Sequence, residues 1–250
     1  MLDVAIEAAK AAGDFAYHFN TSKLDVSLKT KGHVSPVSAA DKQAEKLVRK
    51  IISKKYPDHG FIGEELGKTK PNAKYHWVID PIDGTRDFIR QNPLWCTLVA
   101  VLEDKKPIIG VCYFPPRKEL FWAQLGKGAY LNGKKIRVSK VAEISNAYAS
   151  ISSVHHFFSI KKMKQLLALS NNVGASRYLS SYGYSLLWTG QADVVVAARG
   201  SIWDWVAPAV ITGEAGGRFS DFRGKYAFNS GTGVFSNKLI HQQVLKILNG

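Results

Sequence analysis

Asp80 and Asp83 stand three residues apart in the string Trp77-Val78-Ile79-Asp80-Pro81-Ile82-Asp83-Gly84-Thr85-Arg86-Asp87-Phe88. Two hard oxygen donors at that spacing can hold a divalent cation. Gly84 removes a Cβ where something must approach the backbone, and Thr85 can open a short helix whose first amides seat a phosphate. The plain alternative is an Asp-Gly turn after a core strand. Four further acids draw attention: Asp41, the adjacent Glu64 and Glu65 after Gly63, and Asp204 in Trp203-Asp204-Trp205-Val206-Ala207-Pro208. Read locally, each has a modest explanation. Asp41 has capping-box spacing from Ser38, and Glu64-Glu65 reads as a solvated loop. Asp204 at a helix start reads as a cap or dipole partner worth ~0.5–2 kcal/mol.

Periodicity predicts the elements that must carry these acids. Val4, Ala8, Ala11, Ala12, Phe15, Ala16 and Phe19 mark an amphipathic first helix; Ala44, Leu47, Val48, Ile51 and Ile52 mark a second. Residues 29–37 between them read as a polar connection. Tyr56-Pro57-Asp58 ends the second helix, Phe61-Ile62 is a brief strand, and residues 68–74 read as a polar loop. Residues 75–79 predict a buried strand that cannot simply continue through Pro81. Strands follow over 96–102, 107–114 and 120–123, the last two joined by Pro115-Pro116-Arg117-Lys118. Asn132-Gly133 marks a hairpin of the primed-turn type. Gly126 and Gly128 match no dinucleotide fingerprint, because the strand–glycine–helix context is wrong.

Beyond Ser139, strand and helix alternate. Strands are expected over 147–154, 193–198 and 233–235, and helices after Ser159 and over 182–191, 202–214 and 239–248, with Gly216-Gly217 stopping the third. The fold class is α/β, with an α+β N-terminal half (1–139) and an α/β C-terminal half (140–250).

Composition narrows the class. Hydrophobic content of 46% with 22% charged residues is that of a soluble globular protein, and no apolar run approaches a membrane span. Asp3, Glu7 and Lys10 interrupt any signal-peptide layout, so a cytoplasmic enzyme without membrane contact is expected. Cys96 and Cys112 sit in strand-like runs and read as buried thiols. The formal charge of +14 is spread along the chain, its densest groups being Lys161-Lys162-Lys164 and Lys134-Lys135-Arg137. No nucleic-acid motif surrounds them, so a solvated basic surface is expected rather than a dedicated DNA or RNA site.

Taken jointly, Asp41 in Pro36-Val37-Ser38-Ala39-Ala40-Asp41, Gly63-Glu64-Glu65, Asp80-Pro81-Ile82-Asp83-Gly84-Thr85 and Trp203-Asp204 with its Glu214-Ala215-Gly216-Gly217 tail carry a resemblance that covers nearly the whole chain. The sequence resembles the inositol monophosphatase superfamily of metal-dependent phosphatases. The resemblance implies a layered αβαβα sandwich of the inositol monophosphatase/fructose bisphosphatase type, and a homodimer. It implies two to three Mg2+ ions: one on Glu64, Asp80 and the Ile82 carbonyl, a second on Asp80, Asp83 and Asp204, and a looser, hydrated third touching Glu64. An oxygen-only ligand set of this kind agrees with Mg2+ and argues against zinc.

The same resemblance implies in-line hydrolysis of a small phosphate ester. A water near Glu64 and Thr85 would attack, with Asp41 orienting the Thr85 hydroxyl. Gly84 and Thr85 amides would cradle the phosphoryl oxygens, and Asp204 would help reprotonate the departing alkoxide through water. Inhibition by lithium is a further expectation. Inositol-preferring members carry a Glu seven residues before the Asp of the second motif, where this sequence has Ala197, with Arg199 nearby. Pro93-Leu94-Trp95, the Ser35-Pro36-Val37-Ser38 string and the compact C-terminal half are similar to histidinol-phosphate phosphatases. Inositol monophosphate and histidinol phosphate therefore both stand as substrates, with Ala197, Arg199 and the stretch from Tyr178 to Tyr184 as candidates for the alcohol side. The rival class is a basic nucleic-acid-binding or partner-binding protein on an inactive phosphatase scaffold.

Overall fold

The computed structural model describes residues 1–19 and 39–250; the 29–37 connection, the 35–38 string and the Ser38 cap lie outside the described residues. An alanine stripe on α1 (Leu2–Tyr17) lets α2 (Ala39–Lys55) approach closely, and both bury against one face of an eight-stranded sheet. That sheet runs β2-β1-β3-β4-β5-β6-β7-β8. Its strands are β1 (Gly60–Gly63), β2 (Gly67–Thr69), β3 (Tyr75–Asp83), β4 (Cys96–Glu103), β5 (Lys106–Phe114), β6 (Glu119–Gln124), β7 (Gly128–Leu131) and β8 (Lys134–Ile136), with the short α3 (Thr85–Ile89) after β3. Within this sheet, among the described residues, only β1 and β3 pair in parallel.

The second sheet runs β10-β9-β11-β13-β12: β9 (Tyr148–Ile151), β10 (Ala175–Tyr178), β11 (Val194–Ala197), β12 (Arg218–Ser220) and β13 (Gly233–Ser236). Around it lie α4 (Val154–Ser159), α5 (Met163–Asn172), α6 (Tyr182–Trp188), α7 (Ile202–Glu214) and α8 (His241–Asn249).

Strand alternation assigns the faces. In β4, Val99 and Val101 pack towards α1 and α2, while Cys96, Leu98, Ala100 and Leu102 join Trp188, Trp205 and Val206 on the other side. In β11, Val195 faces that same central layer, and Val194 and Val196 face Leu169 of α5 and Val244 of α8. The result is the expected αβαβα sandwich, with α6 and α7 between the sheets. An apolar helix such as α7, buried from Trp205 to Thr212, can only sit between two such faces.

α7 lies close against the first sheet at Gly110 of β5, where an added Cβ would meet the Ala207 carbonyl oxygen at 2.5 Å. Gly110→Ala should therefore push α7 off the sheet and lower stability by about 2–3 kcal/mol, seen as a Tm drop of roughly 4–10 °C. Glu214, at the end of α7, accepts from the Gly126 and Gly128 amides at 2.9 and 2.7 Å. Those glycines, at φ 76° and 85°, form the β6–β7 turn and serve as an anchor for α7.

Several local expectations are corrected. β3 does not stop at Ile79 but runs to Asp83, because the pairing with β4 shifts between Asp80 and Asp83 and such an irregularity tolerates proline. The 68–74 loop yields Gly67–Thr69 to an edge strand. The strand expected over 147–154 ends at Ile151, and Ser159 closes α4 rather than starting a helix. Lys161, at φ 59°, separates α4 from α5. The short strands β10 and β12 carry no alternation in sequence and gain their pairing from tertiary neighbours.

Candidate active site

The irregular end of β3 shapes the first part of the site. The Ile82 amide donates to Asp80 Oδ1 at 3.1 Å, and Thr97 Oγ1 of β4 donates to the Pro81 carbonyl at 2.8 Å. These two bonds hold the backbone where the ladder is broken. Gly84 lies at φ 91°, a left-handed conformation that favours glycine, and a Cβ there would sit tightly against Ser181 Oγ and Trp95 at 3.2–3.3 Å. Thr85 then begins α3, whose leading amides have no partner within the helix. Its hydroxyl donates to the Ile82 carbonyl at 3.2 Å.

Asp204 arrives from the other half of the chain, in the first turn of α7. One carboxylate oxygen accepts the Ser201 amide at 2.5 Å, which is the capping role expected from local sequence. Capping does not exhaust it. Asp80, Asp83 and Asp204 each present an oxygen within 4.8 Å of the others. The structure thus brings together acids from β3 and α7 that the sequence separates widely.

Burial, followed by mutual repulsion, sets the electrostatics. Asp80 is 1% exposed, and its carboxyl is held well above the usual range by burial, then by Glu64, Asp83 and Asp204. Burial and Asp204 push Asp83 up to about 7; Ser181 and Cys96, whose Sγ lies 3.8 Å from Asp83 Oδ2, oppose this. Burial and then Asp204 and Asp41 push Glu64 up to about 8. Asp204 is raised by burial and partly relieved by the Ser201 amide, Asp80 and Arg199. Carboxylates this close either keep protons or share a cation, and an oxygen-only donor set suits Mg2+. The residues present therefore fit the ion.

Glu64 follows β1, its amide bonded to the Ile79 carbonyl at 3.2 Å. It lines the same cleft as Asp83, Gly84, Thr85 and Asp204 but stands outside the tight trio. Asp41, 3% exposed on the first turn of α2, lies near enough to raise both Glu64 and Asp80. The cleft, about 510 Å³, extends past Ala197, Arg199, Tyr178, Ser180, Ser181 and Tyr184, the stretch expected on the alcohol side. It also takes in Asp87, His155 and His156, which the sequence reading missed. Missed too was Glu45, fully buried on α2 and bonded to the amide of Glu65; its one visible signal was the Glu45/Arg49 spacing of four on a helix.

Comparison with known proteins gives a consistent result. A histidinol-phosphatase from Mycobacterium tuberculosis is 33% identical over 232 residues, covering 90% of this chain and 89% of that protein. The solved Thermotoga maritima IMPase superposes with a TM-score of 0.88 at 31% identity, covering 99% of this chain and 96% of that one. The extragenic suppressor protein suhB from Bartonella henselae superposes with a TM-score of 0.91 at 27% identity, covering 98% and 97%. Residues 1–249 match the inositol monophosphatase family. The chain belongs to that family and is a phosphoric monoester hydrolase.

Proposed function

We propose that the chain hydrolyses a small phosphate monoester with Mg2+ held by Glu64, Asp80, Asp83, Asp204 and the Ile82 carbonyl, and that histidinol phosphate is preferred over inositol monophosphate. The observation that carries the cation reading is the convergence of Asp80, Asp83 and Asp204 within 4.8 Å. Bound Mg2+ would acidify the attacking water and neutralise charge on the phosphoryl and leaving oxygens.

The chain's own groups divide the remaining work. Gly84 and Thr85 amides seat the phosphoryl oxygens, and Glu64 takes a proton from the attacking water. Asp204 returns a proton to the leaving oxygen through water. The single Thr85 hydroxyl hydrogen is committed to Ile82 in this structure, so bonding to Asp41 requires the hydroxyl to turn.

Two features support an amine-bearing alcohol. Ala197 lines the cleft without a carboxylate for a ring hydroxyl, and Asp87 is the one cleft-lining acid outside the cation set among the described residues. The histidinol-phosphatase relative points the same way. We further place the protein in the cytoplasm as a homodimer; no helix among the described residues is long and apolar enough to cross a membrane.

Phosphate release with Mg2+ from histidinol phosphate, inositol 1-phosphate and an aryl phosphate tests the reading. The expected kcat/KM for histidinol phosphate exceeds that for inositol 1-phosphate by ~10-fold or more, the range that one charge pair can supply. Failure to consume any monoester with Mg2+ or Mn2+ sinks it. The net charge of +14 and the suhB relative favour a second reading, binding to nucleic acid or a protein partner, which a salt-dependent RNA or DNA shift would reveal.

A further inference from the structure

α2 carries three charged residues one turn apart: Asp41, Glu45 and Arg49. Asp41 faces the acidic cluster, but Glu45 touches none of it. Glu45 is fully buried, and its two oxygens are fully used. Oε1 accepts from Arg49 Nε at 2.8 Å and lies 2.6 Å from Arg49 Nη2. Oε2 accepts from the amides of Glu65 at 2.8 Å and Leu66 at 3.3 Å. Arg49 Nη2 also donates to the Gly67 carbonyl at 2.6 Å, and its guanidinium lies over the Phe61 ring at 5.1 Å. A methyl on Gly63 would fall on the Glu45 carboxylate, so the strand end and the acid are fitted to one another. The two amides held by Oε2 lie in the turn that starts at Glu64, and Arg49 reaches its far end at Gly67.

We propose that Glu45 is a positioning residue: braced by Arg49, its carboxylate fixes the backbone after β1 so that Glu64 enters the cleft in one orientation, and so sets the affinity for Mg2+. This rests on the reading that Glu64 is a cation ligand. Stability alone is a poor reason for such an arrangement, because a buried ion pair is commonly no better than well-packed apolar residues of the same volume. What an apolar pair cannot do is hold two successive amides from below. A turn without this brace would leave the Glu64 backbone free to take more than one path into the cleft.

Glu45→Gln tests this with little change of shape. One carboxylate oxygen becomes an NH2 that faces other donors, so either the Arg49 pair or the two amides must be lost. The expected result is a 10–100-fold higher Mg2+ concentration at half-saturation. It should appear both in phosphate release from an aryl phosphate and in the Mg2+-induced rise in Tm, with KM for the ester changing less than about threefold. Arg49→Lys keeps the charge but cannot reach Glu45 twice and Gly67 at once, and should shift the midpoint the same way. It decides the matter by the same criterion should Glu45→Gln fail to fold.

Glu214→Gln is the matched control, since it too breaks a carboxylate from two amides, at Gly126 and Gly128. It should lower Tm and leave the Mg2+ midpoint within about threefold. A midpoint unchanged in folded Glu45→Gln, or one shifted equally by Glu214→Gln, overturns the proposal. Wild-type protein that releases no phosphate with Mg2+ would instead count against the proposed function.

Discussion

Asp80→Asn should reduce Mg2+-dependent phosphate release by on the order of 10³-fold or more, while the metal-free protein melts at a higher temperature than wild type. The two effects have one cause. Asp80 is the most buried of the trio and is surrounded by Glu64, Asp83 and Asp204. At neutral pH its charge is unfavourable in the empty fold and becomes useful only against a cation. Asparagine keeps the shape and can still accept the Ile82 amide at Oδ1, so the irregular end of β3 survives. Far-UV circular dichroism and Tm without metal would establish the fold; single-turnover phosphate release would measure the loss. Asp204→Asn should behave alike, because its side-chain oxygen can still accept from the Ser201 amide and keep α7 capped. An Asp80→Asn protein with wild-type turnover would refute the assignment of the trio.

Raising the pH from about 4 to 8 without divalent metal should destabilise the acidic cluster, and Mg2+ should restore what is lost. Carboxyls in the unfolded chain release their protons near pH 4, whereas Asp83 in the fold does so at about 7 and Glu64 at about 8. Across that window the folded state binds more protons than the unfolded one, so stability falls as pH rises. Each shifted group accounts for on the order of a few kcal/mol at most, and their repulsions are shared. His241 works in the opposite direction. Buried between Ser220 and Ser236, its ring is held down at about 4, so protonation destabilises the fold as pH drops from 6.5. The cluster's part is therefore read as the difference between wild type and Asp83→Asn across the same pH series. Calorimetry should show the Mg2+-induced rise in Tm growing with pH over this window. An equal rise at pH 5 and pH 8 would contradict the origin assigned to it.

Legibility in the sequence followed the range of the interaction. Asp80-Pro81-Ile82-Asp83-Gly84-Thr85 could be read as a site because strand, bend and helix start are all local, and the structure keeps them adjacent. The near-continuous apolar runs of β4 and β11 likewise read as strands, whereas the layering came from the family resemblance and the two faces show only in the packing. Asp204 is the intermediate case. Its capping role was visible nearby, whereas its proximity to Asp80 exists only because α7 crosses beneath the first sheet. Glu45 was silent: on α2 it looks like half of a surface i,i+4 pair, and nothing within four residues tells that β1 ends against it. The strand through Pro81 was misjudged because the rule against proline presumes a regular ladder, and the ladder is broken there. His155 and His156 reach the cleft only through the fold of β9 into α4.

The passage of α7 between the sheets has a consequence for biosynthesis. During translation the first two acids of the trio leave the ribosome long before the third. Until α7 has emerged and inserted, a nascent chain holds an incomplete set of donors that grips magnesium poorly. On the proposed reading the ion would not serve as an early nucleus around which the N-terminal layers assemble; it would act as a late lock on a chain already brought together by its apolar faces. Refolding followed by stopped-flow fluorescence should accordingly show a main rate indifferent to magnesium, with the ion slowing only the reverse reaction.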